Sequence, residues 1–81
     1  MPTVHRFHGL RVVIYPKDHR PPHVHVMGKG REAVFRLNDP RGPPGLRENY
    51  GFSARELTMI VGEISAHLQH LQTQWSAIHG H

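Results

Sequence analysis

Nine consecutive positions, Asp18-His19-Arg20-Pro21-Pro22-His23-Val24-His25-Val26, set the first constraint on this chain. The two prolines fix φ near about −65° and drive Arg20 out of the helical region, so the backbone reaches His23 extended. From His23 to Met27 polar and apolar residues alternate, which is the pattern of a strand. His23, His25 and Met27 then share one face and Val24 and Val26 the other. The two imidazoles stand roughly 6–7 Å apart at Cα on the face the valines do not need.

The 81 residues make one domain, of a size that buries only about 60–65% of its unfolded surface. With no cysteine, disulfides, thiolate metal sites and a cysteine nucleophile are excluded. The sequence from Met1 to Arg6 has no apolar signal segment, and no window approaches the roughly 20 apolar residues of a membrane span. The expectation is a cytoplasmic protein without a membrane partner. Lys and Arg number 10 against 6 Asp and Glu, a formal charge of +4, and histidine adds 9 titratable groups. All the Lys and Arg lie at or before Arg55, and beyond Leu57 the only formally charged side chain is Glu63. A polyanion would be drawn to the first part, and the last part has little charge to oppose contact with itself or a partner.

Thr3–Phe7 and Leu10–Tyr15 predict two strands joined by a two-residue type I′ turn at His8-Gly9. On the second, Leu10, Val12 and Ile14 face opposite to Arg11, Val13 and Tyr15. Pro16-Lys17-Asp18 ends it, with Asp18 placed to accept turn amides. The strand from His23 to Met27 leads through a turn at Gly28-Lys29 into Arg31–Leu37. This register pairs Val26 with Arg31, His25 with Glu32, Val24 with Ala33 and His23 with Val34. Residues 38–52 carry turn-forming residues throughout and predict a loop, pinned by Leu46, Tyr50 and Phe52.

Ser53-Ala54-Arg55-Glu56 is a capping box. Leu57, Ile60, Val61, Ile64, Leu68, Leu71, Trp75 and Ile78 then recur at helical spacing, and Gly80 supplies a stop. A helix over 54–78 would be roughly 40 Å long, more than such a domain covers, so it breaks near Ser65-Ala66 or projects into a partner. The expected fold is α+β: a four-stranded, mainly antiparallel sheet with a long C-terminal helix packed on one face.

The opening Met1-Pro2-Thr3-Val4-His5-Arg6-Phe7-His8-Gly9, the Asp-His-x-Pro-Pro-His-x-His run, the segment Glu32-Ala33-Val34-Phe35 and Trp75 resemble the small bacterial family known as domain of unknown function 4160. The likeness covers nearly the whole chain and departs from it in the proline- and glycine-rich stretch 39–49. It implies a component of a toxin–antitoxin-like pair, with a small cognate protein encoded nearby as partner.

Three readings of function follow. In the first, the protein is a ribonuclease that needs no cofactor: His23 and His25 act as acid and base on RNA, Glu32 orients His25, and Lys17, Arg20 and Arg36 hold phosphate. In the second, Asp18, His19, His23 and His25 supply ligands to a divalent metal such as zinc. In the third, the chain is a non-catalytic interaction or regulatory module that binds its partner protein, RNA or DNA, or a second copy through the C-terminal helix. His5 and His8 are expected as surface or turn residues, Glu63 and His67 as an i, i+4 pair, and His79-Gly80-His81 as a frayed end.

Overall fold

The computed structural model describes residues 3–37 and 44–80. Five strands, β1 (Thr3–Phe7), β2 (Leu10–Val13), β3 (His23–Gly28), β4 (Arg31–Arg36) and β5 (Gly45–Tyr50), precede two helices, α1 (Ala54–Ala66) and α2 (Leu68–His79). The strands form one antiparallel sheet in chain order, with β3 at its centre. The class is α+β, as the hydrophobic periods imply.

The expected loop over 38–52 is corrected in its second half. Gly45–Tyr50 pairs with β4 as a fifth, edge strand, with a register shift beside Val34/Phe35. Its side chains are mostly exposed, so it is held by the backbone of β4 and not by an apolar stripe. Leu46 and Tyr50 do not pin it, being 44% and 60% exposed; Phe52, at 5%, does. Residues 38–43 of that expected loop lie outside the described residues.

The first hairpin turns at His8 (φ 47°) and Gly9 (φ 77°), as expected of a type I′ connection. The second differs from the sequence expectation. Gly28 pairs with Arg31, and the turn is Lys29 (φ 55°) and Gly30 (φ 76°). The pairing therefore moves by two residues: His25 opposes Val34, Val26 opposes Ala33, and Met27 opposes Glu32. An even shift leaves every side chain on its expected face. Gly28 serves a close approach instead of the turn, since a Cβ there would lie 2.8 Å from Leu10 Cδ2 and 3.0 Å from the Gly9 carbonyl oxygen.

Val12, Val24, Val26, Ala33 and Phe35 from one face of the sheet share a single core with Ile60 and Ile64 of α1 and Leu71 and Trp75 of α2. The capping box is formed, with Ser53 Oγ accepting from the Glu56 amide at 3.1 Å and Glu56 Oε1 accepting from the Ser53 amide at 2.9 Å. The long helix is broken near Ser65-Ala66, as its length requires: α1 ends at Ala66, and His67 stands between the two halves. The His67 imidazole Nδ1 takes the Glu63 carbonyl at 3.1 Å, the acceptor its own amide would use, and that amide tightens onto Ile64 O at 3.1 Å instead. The break keeps both halves within a molecule whose longest extent is 33 Å. Gln72 Nε2 donates to Leu37 O at 2.6 Å, tying α2 to the chain just past β4.

Replacing Gly28 by Ala should lower stability by about 1–3 kcal/mol, because Leu10 and the Gly9 carbonyl must give way. Gly62→Ala, in α1 with no atom near its would-be Cβ, should instead raise it by about 0.5–1 kcal/mol. Urea denaturation of both variants measures the two signs.

Candidate functional site

The chain between β2 and β3 folds back towards the face of β3 that carries His23 and His25. The Asp18 amide donates to Tyr15 O at 3.0 Å, and the Tyr15 amide donates to Asp18 Oδ2 at 3.3 Å, closing a turn that fixes the carboxylate. The Arg20–Pro21 bond is cis. The strand alternation then sends His23 and His25 to this face, and Asp18 Oδ2 lies 3.3 Å from His23 Nε2 and 3.1 Å from His25 Nε2.

The outer nitrogens are occupied as well. His23 Nδ1 donates to the Pro21 carbonyl at 2.9 Å. A carbonyl oxygen only accepts, so the proton of a neutral ring sits on Nδ1 and leaves Nε2 bare. His25 Nδ1 faces Glu32 Oε2 at 3.0 Å, so this ring stands between two carboxylates. The shifted register leaves Glu32 one pair along from His25, opposite Met27, and it still reaches the ring. His23 Nε2 is therefore a bare acceptor, while His25 Nε2, opposite a carboxylate that only accepts, carries the hydrogen that bonds Asp18 Oδ2. A cation that displaces this hydrogen enters a gap bounded by two imidazole nitrogens and one carboxylate oxygen, all within 4.8 Å of one another.

The group is enclosed but reachable. The side chains of His23, His25 and Asp18 are 6%, 15% and 18% exposed. Trp75 lies against His23, with ring centroids 5.2 Å apart, and Tyr15 meets His25 edge-on at 4.7 Å. Neither ring was part of the sequence-derived site. Trp75 is 52 positions from His23 and only the fold unites them, whereas Tyr15 shared a predicted strand face that pointed the right way. Of the other sequence candidates, His19, Lys17 and Arg20 are exposed, and His19 is outside the converging set. Arg36 opposes His23 in the ladder, but its guanidinium extends over Gly45.

A second cluster, of which the sequence foretold the Glu63–His67 pair alone, joins His5 of β1 to Glu63 of α1 and to His67. His5 Nε2 lies 2.8 Å from Glu63 Oε2, and His67 Nδ1 lies 3.5 Å from the same oxygen and 3.1 Å from the Glu63 carbonyl. Their rings stack with centroids 4.3 Å apart. Here each neutral imidazole has one N–H to place on Glu63, so the cluster is closed by its own hydrogens. It differs from the Asp18 group, where His23 spends its N–H on Pro21 O and turns a bare Nε2 toward the carboxylate. His79 is likewise ordered, stacked on Trp75 at 3.8 Å.

A family model described as a domain of unknown function (DUF4160) matches residues 9–76. The chain belongs to that family. The matched span contains the Asp18 group whole and omits His5 of the second cluster. No curated protein and no solved structure matches the chain.

The second cluster gives a pH test. The His5 hydrogen bond, together with the neighbouring charges of His67, His5 and His8, holds the Glu63 carboxyl below its ordinary value of 4.5, against the opposing effect of burial. A depressed folded value means that Glu63 stabilises the fold above about pH 4.5 and that this contribution is lost as pH falls through the folded value. The stability gap between wild type and Glu63→Gln should thus be largest near neutral pH and close on acidification. His5→Ala should reproduce most of it. Urea midpoints from pH 7 down to about pH 3 follow this window.

Proposed function

We propose that Asp18, His23 and His25 form a divalent-metal centre, zinc in the first instance, with an open coordination position for water or a substrate oxygen. The observation that carries this reading is the convergence of two imidazole nitrogens and one carboxylate oxygen within 4.8 Å of one another, with the outer nitrogen of each ring already held. Metal-bound imidazoles characteristically donate their other nitrogen to a carbonyl or carboxylate, and Pro21 O and Glu32 stand where such outer partners belong. The 3.1 and 3.3 Å separations of Asp18 Oδ2 from the two nitrogens fit the roughly 3.3 Å edge of a tetrahedron with ligands at about 2.0–2.1 Å. Two imidazoles and one carboxylate suit zinc or another divalent first-row ion, and a centre with three protein ligands retains a site where a bound water becomes acidic enough to attack near neutral pH.

The acid–base ribonuclease reading uses the same two histidines but fills the gap with protons. It places a carboxylate between the rings, where the scissile phosphate would have to lie, and so it accounts for the arrangement less fully. The toxin–antitoxin-like pairing stands beside either chemistry as a proposal about partners.

Purified protein titrated with zinc and assayed by calorimetry and elemental analysis should bind about one equivalent, with a raised melting temperature. His25→Ala and Asp18→Asn should abolish stoichiometric binding. Glu32→Gln should weaken it by about 10–100-fold, and His5→Ala should leave it unchanged. Cleavage of RNA in the presence of chelator, lost in His23→Ala, would instead establish the proton-filled reading.

A further inference from the structure

The same sheet face carries a second arrangement, one step along the strands from His25. Reading straight across the ladder, Arg6 of β1 opposes Arg11 of β2, Arg11 opposes Met27 of β3, Met27 opposes Glu32 of β4, and Glu32 opposes Tyr50 of β5. All five side chains of this row belong to the face away from the core, since the flanking Leu10, Val26 and Ala33 are buried in it. Around the row lies a shallow depression of about 380 Å³, lined by Arg11, Met27, Arg31, Glu32 and Tyr50 with glycines of the β3–β4 turn.

Two features of the row are costly for a surface that binds nothing. Arg6 and Arg11 are like charges directly opposite each other, an arrangement that destabilises a sheet. Among the described residues neither is ion-paired to a carboxylate. At the other end Tyr50 leaves 60% of its surface in water. An anion bridging the two guanidiniums would relieve the first, and a flat ring laid on Tyr50 the second. Arg11 and Tyr50 are three strand spacings apart, about 14 Å between backbones, and the arginine side chain spans part of that distance. A phosphate and a nucleobase joined by a ribose fill the remainder. Glu32, its Oε2 held by His25, retains acceptor capacity for a ribose hydroxyl or a base N–H. The volume lies at the small end of the range for ligand pockets, about 300–1,000 Å³.

We infer that this row is a nucleotide-binding platform: phosphate on Arg6 and Arg11, sugar over Met27 and Glu32, base stacked on Tyr50. The ligand is a nucleotide unit, either free or within a single-stranded nucleic acid. A strand seated there runs past the His25 row, about 7 Å away along the strands, which brings its next phosphodiester to the Asp18 group. Binding by the row does not depend on whether that group holds a metal.

The test is fluorescence anisotropy with a labelled 12-nucleotide single-stranded RNA, in roughly 50 mM salt, where phosphate contacts are strong, and with chelator present throughout. The chelator keeps failure of the metal reading from affecting the result. Tyr50→Ala and Arg11→Ala should each weaken binding by about tenfold or more, within the range of a lost stacking contact. Tyr50→Phe, which keeps the ring, should stay within about twofold of wild type. Arg55→Ala removes an exposed charge on α1 and should change affinity less than about threefold, the effect of net charge alone. Circular dichroism confirms that each variant is folded. Displacement of the RNA by millimolar AMP identifies the free nucleotide as sufficient, and resistance to AMP identifies the strand as the ligand. Absence of binding by wild type, an unaltered affinity in Tyr50→Ala, or equal losses in Arg55→Ala and Arg11→Ala would each overturn the inference.

Discussion

The alternation along β3 is the constraint from which the rest follows. Val24 and Val26 are fully buried in the core shared with Ile60, Ile64, Leu71 and Trp75. A one-residue slip would send both valines to the other side and bury His25 among them. Burial of apolar area on one side, worth about 1.5–3 kcal/mol for each such side chain, therefore fixes where the imidazoles point. The site's geometry is a by-product of core formation, and the strand needs no separate device to present two histidines side by side.

The third acceptor comes from a different source. Asp18 is not on a strand; it is held by a turn that uses its own carboxylate to bind the Tyr15 amide. The strand and the turn arrive independently, and the partners of the outer ring nitrogens distinguish this group from the His5–Glu63–His67 cluster. Both gather two imidazoles and a carboxylate within a few ångströms. In one the imidazole hydrogens close on Glu63 itself, and in the other each ring also holds an outer partner, the Pro21 carbonyl or Glu32. Composition of a cluster is thus a poor guide to its chemistry. The direction of each N–H is the better one.

How much was legible in the sequence depended on whether a local pattern existed. The faces of β2, β3 and β4, the His8-Gly9 turn and the Ser53 cap were legible, because each rests on residues within a few positions of one another. β5 was not: Gly45, Arg47, Glu48 and Asn49 carry no apolar alternation, and the strand exists because β4 offered an unpaired edge. The break at His67 was foreseen only from length, since no proline or glycine marks it and a side-chain hydrogen bond makes it. At the site, the pairing of His23 with His25 was legible, whereas the choice between Asp18 and His19 was not. The two are adjacent in sequence, and only the closed turn decides which one faces inward.

Trp75 is the single tryptophan of the chain, and it packs on the ring of His23. Its emission is therefore governed by one environment, a few ångströms from the converging acceptors. Whatever enters or leaves that gap, proton or cation, alters the electronic character of the ring against which the indole rests. The protein carries its own optical reporter, so occupancy can be followed in the native chain without attaching any label.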